Sequence, residues 1–150
     1  MTDAAEPRNT MQDQIARFIE TVNSGENLLG MLPTTLVEID GADLVLDLEI
    51  HDRITGPRGA LQGGAIATLA DLVGGRMAMQ GAGPDSIVVT TDLTVHYLAP
   101  VMGPVARAVG HVLRRSKRAV TVRVDVYDGV DGPLAAASTL AFKIITPPPA

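Results

Sequence analysis

The sequence predicts an α+β fold in which a curled, antiparallel six-stranded sheet wraps around one central helix, with a short helix ahead of it. Three observations predict this. Residues 62–80 place Ile66, Leu69, Ala70, Val73 and Met77 at i, i+3, i+4, i+7 and i+11, and their other faces are mostly Ala, Gly and Leu. A helix apolar nearly all round is buried on most sides. Val120, Val122, Val124 and Val126 alternate with Thr121, Arg123 and Asp125, the pattern of a half-buried antiparallel strand. Fifteen Gly and ten Pro in 150 residues punctuate the chain with turns. With only one helix to fill a concave face, the sheet must curl round it.

Taken in order, residues 1–9 read as a loose tail, 10–146 as one domain and 147–150 as a proline-rich tail. Met11, Ile15, Phe18, Ile19 and Val22 recur at helical spacing over about 11–21, with Thr10 as N-cap and Ser24-Gly25 as the stop. A strand over 35–39 turns at Asp40-Gly41 into a second over 43–50, where Leu44, Leu46, Leu48 and Ile50 alternate with more polar positions. Residues 51–61, with Pro57 and two glycines, form a loop into the central helix. Four strands follow at about 86–98, 105–113, 119–127 and 134–145, reading as a meander joined by turns at Gly103-Pro104, Arg115-Ser116-Lys117 and 128–133.

Composition narrows the function. The formal net charge of −5 argues against a sequence-independent grip on nucleic acid, which needs a basic surface. There is no Cys, hence no disulfide framework, thiolate nucleophile or cysteine metal site. Residues 1–9 include Asp3, Glu6 and Arg8 and lack the apolar run of a signal peptide. No stretch approaches 18 consecutive apolar residues, so no membrane span is expected. A cytoplasmic protein is expected. Hydrophobic residues make up 46%, but aromatics only 3%, so Val, Leu, Ile and Ala must fill the core.

Two segments carry a family resemblance. Leu61-Gln62-Gly63-Gly64-Ala65-Ile66-Ala67-Thr68-Leu69-Ala70-Asp71 is similar to the signature of PaaI-like acyl-CoA thioesterases, written HGG with an acid seven residues later in an L-A/V-D triplet. The strand from Thr91 to Pro100, with Asp92, Tyr97 and Pro100, resembles that family's D-x-x-x-x-Y-x-x-P pattern. The layout resembles the hotdog fold of the same superfamily, that of 4-hydroxybenzoyl-CoA thioesterase, over about residues 30–146. Two positions depart from the pattern. Gln62 stands where His is usual, and Gly56 where an Asn or Gln often helps place the water. Gln62 still offers a donor and an acceptor; Gly56 leaves the water without an obvious holder.

The resemblance implies hydrolysis of a small or medium acyl-CoA to free acid and coenzyme A. It implies no metal, and no cofactor beyond the coenzyme A of the substrate. It also implies a homodimer or homotetramer with composite sites, the Gly loop of one subunit facing the acid of the other.

The residue types suit that chemistry. Gly63 and Gly64 stand where a loop enters a helix, so their N–H groups lack intrahelical acceptors and can stabilise an oxyanion at the positive helix end. The bland reading is a tight loop-to-helix junction. Asp71 is the only acid between Leu61 and Ala82. A desolvated carboxylate is a better base or nucleophile; its bland reading is an ion pair with an arginine such as Arg123. Arg76 lies well round the helix and is a poor partner. Thr90 aligns with the family's frequent Ser or Thr, where a hydroxyl would hold the water or orient the carboxylate; it also reads as an ordinary β-branched strand residue. Arg114, Arg115, Lys117 and Arg118 gather four of the twelve cations in one turn. They read as a solvated turn or as a site for the phosphates of coenzyme A. His51, His96 and His111 form no metal-ligand motif. One rival is a non-catalytic acyl-CoA-binding hotdog module. Another is a hotdog dehydratase, disfavoured because the central helix has no His.

Overall fold

A computed structural model describes residues 16–17 and 20–148. The chain divides into two compact units, Met1–Met31 and Leu32–Ala150. In the first, residues 16–17 and 20–23 are helical. The helix stops at Gly25, whose φ of 72° is the left-handed exit that glycine takes without strain. Thr10, the tail at 1–9 and most of the apolar stripe expected over 11–21 lie outside the described residues. A 3-10 turn, Leu29–Met31, closes the unit.

The second unit contains β1 (Thr34–Val37), β2 (Leu44–Glu49), α1 (Gly63–Met79), β3 (Ile87–Tyr97), β4 (Val105–Arg115), β5 (Ala119–Asp128) and β6 (Leu134–Ile145). The six strands form one antiparallel sheet in the order β1-β2-β4-β5-β6-β3. This is the α+β architecture the sequence predicts, and all five residues of the expected stripe, Ile66, Leu69, Ala70, Val73 and Met77, are buried. Their partners are the inward rows of the sheet. One row runs Leu46, Ala108, Val126, Ala136, Tyr97, and the next Leu44, Gly110, Val124, Ser138, Val95. Helix and sheet meet closely. A Cβ at Gly110 would fall 2.3 Å from Met77 Sδ, and one at Gly74 would fall 2.8 Å from the Phe142 ring. Ser138, the polar residue in this core, donates to Val124 O at 2.7 Å and so carries no desolvation cost.

The sheet order corrects the meander. β4, β5 and β6 are consecutive neighbours, but β3 pairs with β6 at the far edge and β4 lies beside β2. Alternation shows which face a strand buries, not which strand lies next to it. The small inward residues Ala106, Ala108 and Gly110 fit β4 between leucine-rich β2 and valine-rich β5.

Two bulges set which side chains face the helix. β3 slips between Thr90 and Asp92, and β4 slips between Val112 and Arg114. Each adds a residue and reverses the inward alternation beyond it. Thr90, Leu93, Val95 and Tyr97 therefore share the helix side of β3. On β4, Arg115 rather than Arg114 turns inward. β4 also continues two residues beyond its expected end at 113, because pairing with β5 persists through Arg115 and Val120.

On the opposite face, Arg107 makes a bidentate pair with Asp47, both contacts 2.8 Å. Donating to that carboxylate raises the Arg107 pKa above its ordinary value.

Candidate active site

The helix α1 begins at the end of a tethered loop. Gln62 N donates to Ile54 O at 2.9 Å, and Leu61 N donates to Val101 O at 2.9 Å. An isolated bridge joins Thr55 to Leu61. Gln62 Nε2 donates to Thr55 O at 2.9 Å. The Gln62 side chain thus closes the loop through one of its two amide N–H donors. Gly56 lies in the turn that this closure creates, its N–H bonded to Ala60 O at 2.8 Å.

Past Gln62 the first helical amides are those of Gly63 and Gly64. The carbonyl of Gln62 takes the amides of Ala65 and Ile66, at 2.9 and 3.1 Å. Among the described residues, neither Gly63 N–H nor Gly64 N–H has an acceptor. The two glycines differ in their surroundings. A Cβ on Gly63 would lie 3.3 Å from Tyr97 Cζ, whereas one on Gly64 would meet nothing within 4 Å. The Tyr97 hydroxyl donates to Gly63 O at 2.8 Å. The space above Gly64 is open to a ligand, and that side of the junction presents free N–H donors at a helix N-terminus.

Asp71 sits two turns further along α1, partly buried. Thr90 Oγ1 donates to Asp71 Oδ1 at 2.8 Å. The ion-pair alternative is not what the structure shows. Arg123 is bonded to Asp125 Oδ1 at 3.0 Å, a pairing that raises the Arg123 pKa, and it faces away from the helix. Asp71 and Thr90, both singled out from sequence, are therefore brought together, with one carboxylate oxygen fixed and the other carrying no hydrogen bond among the described residues.

Gly64 and Asp71 are not brought together within one chain. Seven residues at the helical rise put them about 10 Å apart along the axis. A reacting carbonyl needs its oxyanion donors at about 3 Å and its attacking group at a similar distance. The Gly64 amide and the Asp71 carboxylate of one chain therefore do not converge on a single carbonyl.

The four cations do not form one patch. Arg115 turns inward and donates to Met77 O and, at 3.2 Å, to Ala78 O, so it caps the C-terminus of α1. Arg114, its neighbour, projects from the opposite face of β4. Lys117 and Arg118 lie in the tight turn beyond, where Ser116 N donates to Ala119 O at 2.8 Å. The cap on α1 was missed from sequence because only the bulge decides which arginine turns inward. From sequence Tyr97 is only a residue of the D-x-x-x-x-Y-x-x-P pattern; its contact with the Gly loop depends on the bulge in β3.

Among the described residues no helix is long and apolar enough to cross a membrane. A family profile described as thioesterase superfamily matches residues 58–135, which takes in the Gly loop, α1, β3, β4 and β5. A candidate esterase of Saccharolobus solfataricus is 24% identical over 135 residues, covering 90% of this chain and 95% of its own. Among solved structures, a thioesterase of Pseudomonas aeruginosa superposes with a TM-score of 0.72 at 20% identity, covering 84% of this chain and 92% of that one. A Bacillus halodurans protein solved with CoA gives 0.71 at 24% identity, covering 97% and 99%. These likenesses bear out the hotdog fold.

Proposed function

We propose that this chain, which belongs to the thioesterase superfamily and is thereby a thioester hydrolase, cleaves a small or medium acyl-CoA to free acid and coenzyme A. The observation that carries the reading is that one helix bears both an unoccupied amide pair at Gly63 and Gly64, at its start, and a half-buried Asp71 held by Thr90, two turns on. In the reaction the thioester carbonyl oxygen lies against the Gly64 N–H, where the helix end favours developing negative charge. Asp71 acts as general base toward a water, or attacks the carbonyl carbon itself, expelling the thiolate and leaving an acyl-aspartyl anhydride that water then hydrolyses. With water, its oxygen bonds to the carbonyl carbon, its proton passes to Asp71, and the C–S bond breaks. The departing thiolate takes up a proton to give coenzyme A. Polarisation by amide dipoles asks for no metal and no cofactor.

The separation of Gly64 from Asp71 along one helix favours a composite site, completed by a second copy. The 11-residue strand β3 suits such pairing. It is an edge strand with Ile87, Val89, Leu93 and Tyr97 exposed, and long apolar edges recruit partners. A homodimer, alone or paired into a homotetramer, is the proposed assembly. A cytoplasmic location goes with this reading of the substrate.

The test is thiol release from a panel of acyl-CoAs, run with the wild type and Asp71→Asn. Turnover of short or medium acyl-CoAs is expected, with kcat falling by roughly 10²–10⁴ in the variant and KM little changed. Binding of acyl-CoA without turnover of any would replace the enzyme with a binding module, the reading that Gly56, with no side chain to place a water, and Gln62, in place of His, favour.

A further inference from the structure

The geometry points to Tyr97 as a positioning residue: we infer that its hydroxyl, bonded to the Gly63 carbonyl, sets the direction and donor strength of the Gly64 N–H. This rests on the reading of Gly64 as an oxyanion donor. The carbonyl of Gly63 and the N–H of Gly64 are the two ends of one planar peptide unit. Fixing the oxygen at one end fixes the hydrogen at the other. A hydrogen bond accepted by the carbonyl also polarises the unit and strengthens its N–H as a donor.

The first turn of a helix is where such help is needed. Its peptides lack part of the internal bonding, and two successive glycines have the widest backbone freedom. Tyr97 supplies the restraint from outside. It ends β3, where Tyr97 pairs with Ala136, and the next residue continues the anchorage through Leu98 N to Ala135 O at 2.8 Å. The loop that leads into Gly63 is tied to the segment following β3 by Leu61 N to Val101 O. The clamp is therefore strand-borne rather than a loose surface contact, although Tyr97 as a residue is 55% exposed.

The adjacent glycines then have separate tasks. Gly63 lacks a Cβ because the Tyr97 ring occupies its flank, with Cζ, Cε1 and the hydroxyl 3.3–3.4 Å from where a Cβ would stand. Gly64 lacks one although nothing of the chain approaches within 4 Å, which leaves its flank for the thioester. The single proton of the phenol is spent on Gly63 O, so Tyr97 acts on the reaction through the peptide and does not itself touch the carbonyl.

The experiment uses the full chain and an acyl-CoA that the wild type hydrolyses. Tyr97→Phe keeps the ring and removes the hydroxyl. It is expected to lower kcat by about tenfold, a fraction of the loss seen when a whole oxyanion donor is removed, with KM within about twofold. The spectroscopic readout is the carbonyl stretch of a ¹³C-labelled acyl-CoA held uncleaved on Asp71→Asn protein. That band should lie below its position in water. On Asp71→Asn/Tyr97→Phe it should move back toward that position. Gly63→Ala, whose added carbon would stand 3.3–3.4 Å from the ring and displace it slightly, should also lower kcat, and the double variant Gly63→Ala/Tyr97→Phe should lose less than the two single losses combined. An unchanged kcat and band in Tyr97→Phe, or additive losses in the double variant, overturns the role of Tyr97 alone. A band on Asp71→Asn protein that matches free substrate removes the oxyanion role of Gly64 itself.

Discussion

The hydroxyl of Thr90 donates to Asp71 Oδ1 at 2.8 Å, from the edge strand β3 across to the central helix. A carboxylate held at one oxygen presents the other in a fixed direction, which a base needs more than it needs a particular environment. Thr90→Val keeps the shape and deletes the donor. An exposed bond to a carboxylate is worth about 1 kcal/mol of stability, so the melting temperature should fall by about 2–4 °C, while the loss of orientation at Asp71 should lower kcat roughly five- to tenfold, with Thr90→Ser restoring both. Full activity in Thr90→Val, measured by thiol release, would leave Thr90 as an ordinary strand residue.

Gly64 offers a contrast between space and function. Because nothing of the chain lies within 4 Å of a Cβ placed there, Gly64→Ala should fold, and gain slightly from the better helix propensity of alanine. The methyl group would stand where the thioester approaches. We expect the melting temperature to hold or rise while kcat/KM drops by about tenfold or more, as for a donor that no longer reaches its oxyanion. Unimpaired kcat/KM in a stable Gly64→Ala would mean that substrate does not approach the backbone here.

Much of this was legible in the sequence, for reasons that differ by residue. The α1 stripe and the inward valines of β5 follow from local periodicity, so helix, strands and core could be read directly. Asp71 stood out as a lone acid on an apolar helix, and the Gly pair as an amide-rich helix start. What could not be read was non-local. The place of β3 beside β6 depends on pairing with residues about 40 to 60 positions away. The inward turn of Arg115 and Tyr97 depends on one-residue bulges that no alternation pattern announces. Gln62 offered both donors and an acceptor, and only the folded loop shows one donor bonded to Thr55.

The same bulge in β4 divides the basic segment into two experiments. Arg115 holds the last carbonyls of α1. Arg115→Ala should therefore cost about 1–2 kcal/mol, seen as a melting temperature lower by roughly 3–6 °C. Arg114, Lys117 and Arg118 cap nothing of the kind. If they collect the phosphates of coenzyme A, Lys117→Ala/Arg118→Ala should raise KM with little change in kcat or melting temperature, and added salt should reduce the difference from wild type. An unchanged KM would return the turn to a solvated surface.

The distance between Gly64 and Asp71 along one helix makes the composite site testable without a structure of the assembly. Two variants are co-expressed in equal amounts. Asp71→Asn keeps the Gly loop and lacks the base. Gly64→Val keeps Asp71 and places a branched side chain in the open space where the thioester would lie. Each alone should be nearly inactive. If each site joins the Gly loop of one copy to the acid of the other, a site is intact only when the loop comes from Asp71→Asn and the acid from Gly64→Val. Random pairing in a two-fold assembly then restores about a quarter of wild-type activity per chain. If both groups of a site came from one chain, mixing would restore nothing, because every chain carries a lesion. Thiol release from the co-expressed mixture, compared with the two variants purified separately and mixed without subunit exchange, reads the answer directly. No recovery, from a mixture shown to contain mixed dimers, would end the composite site.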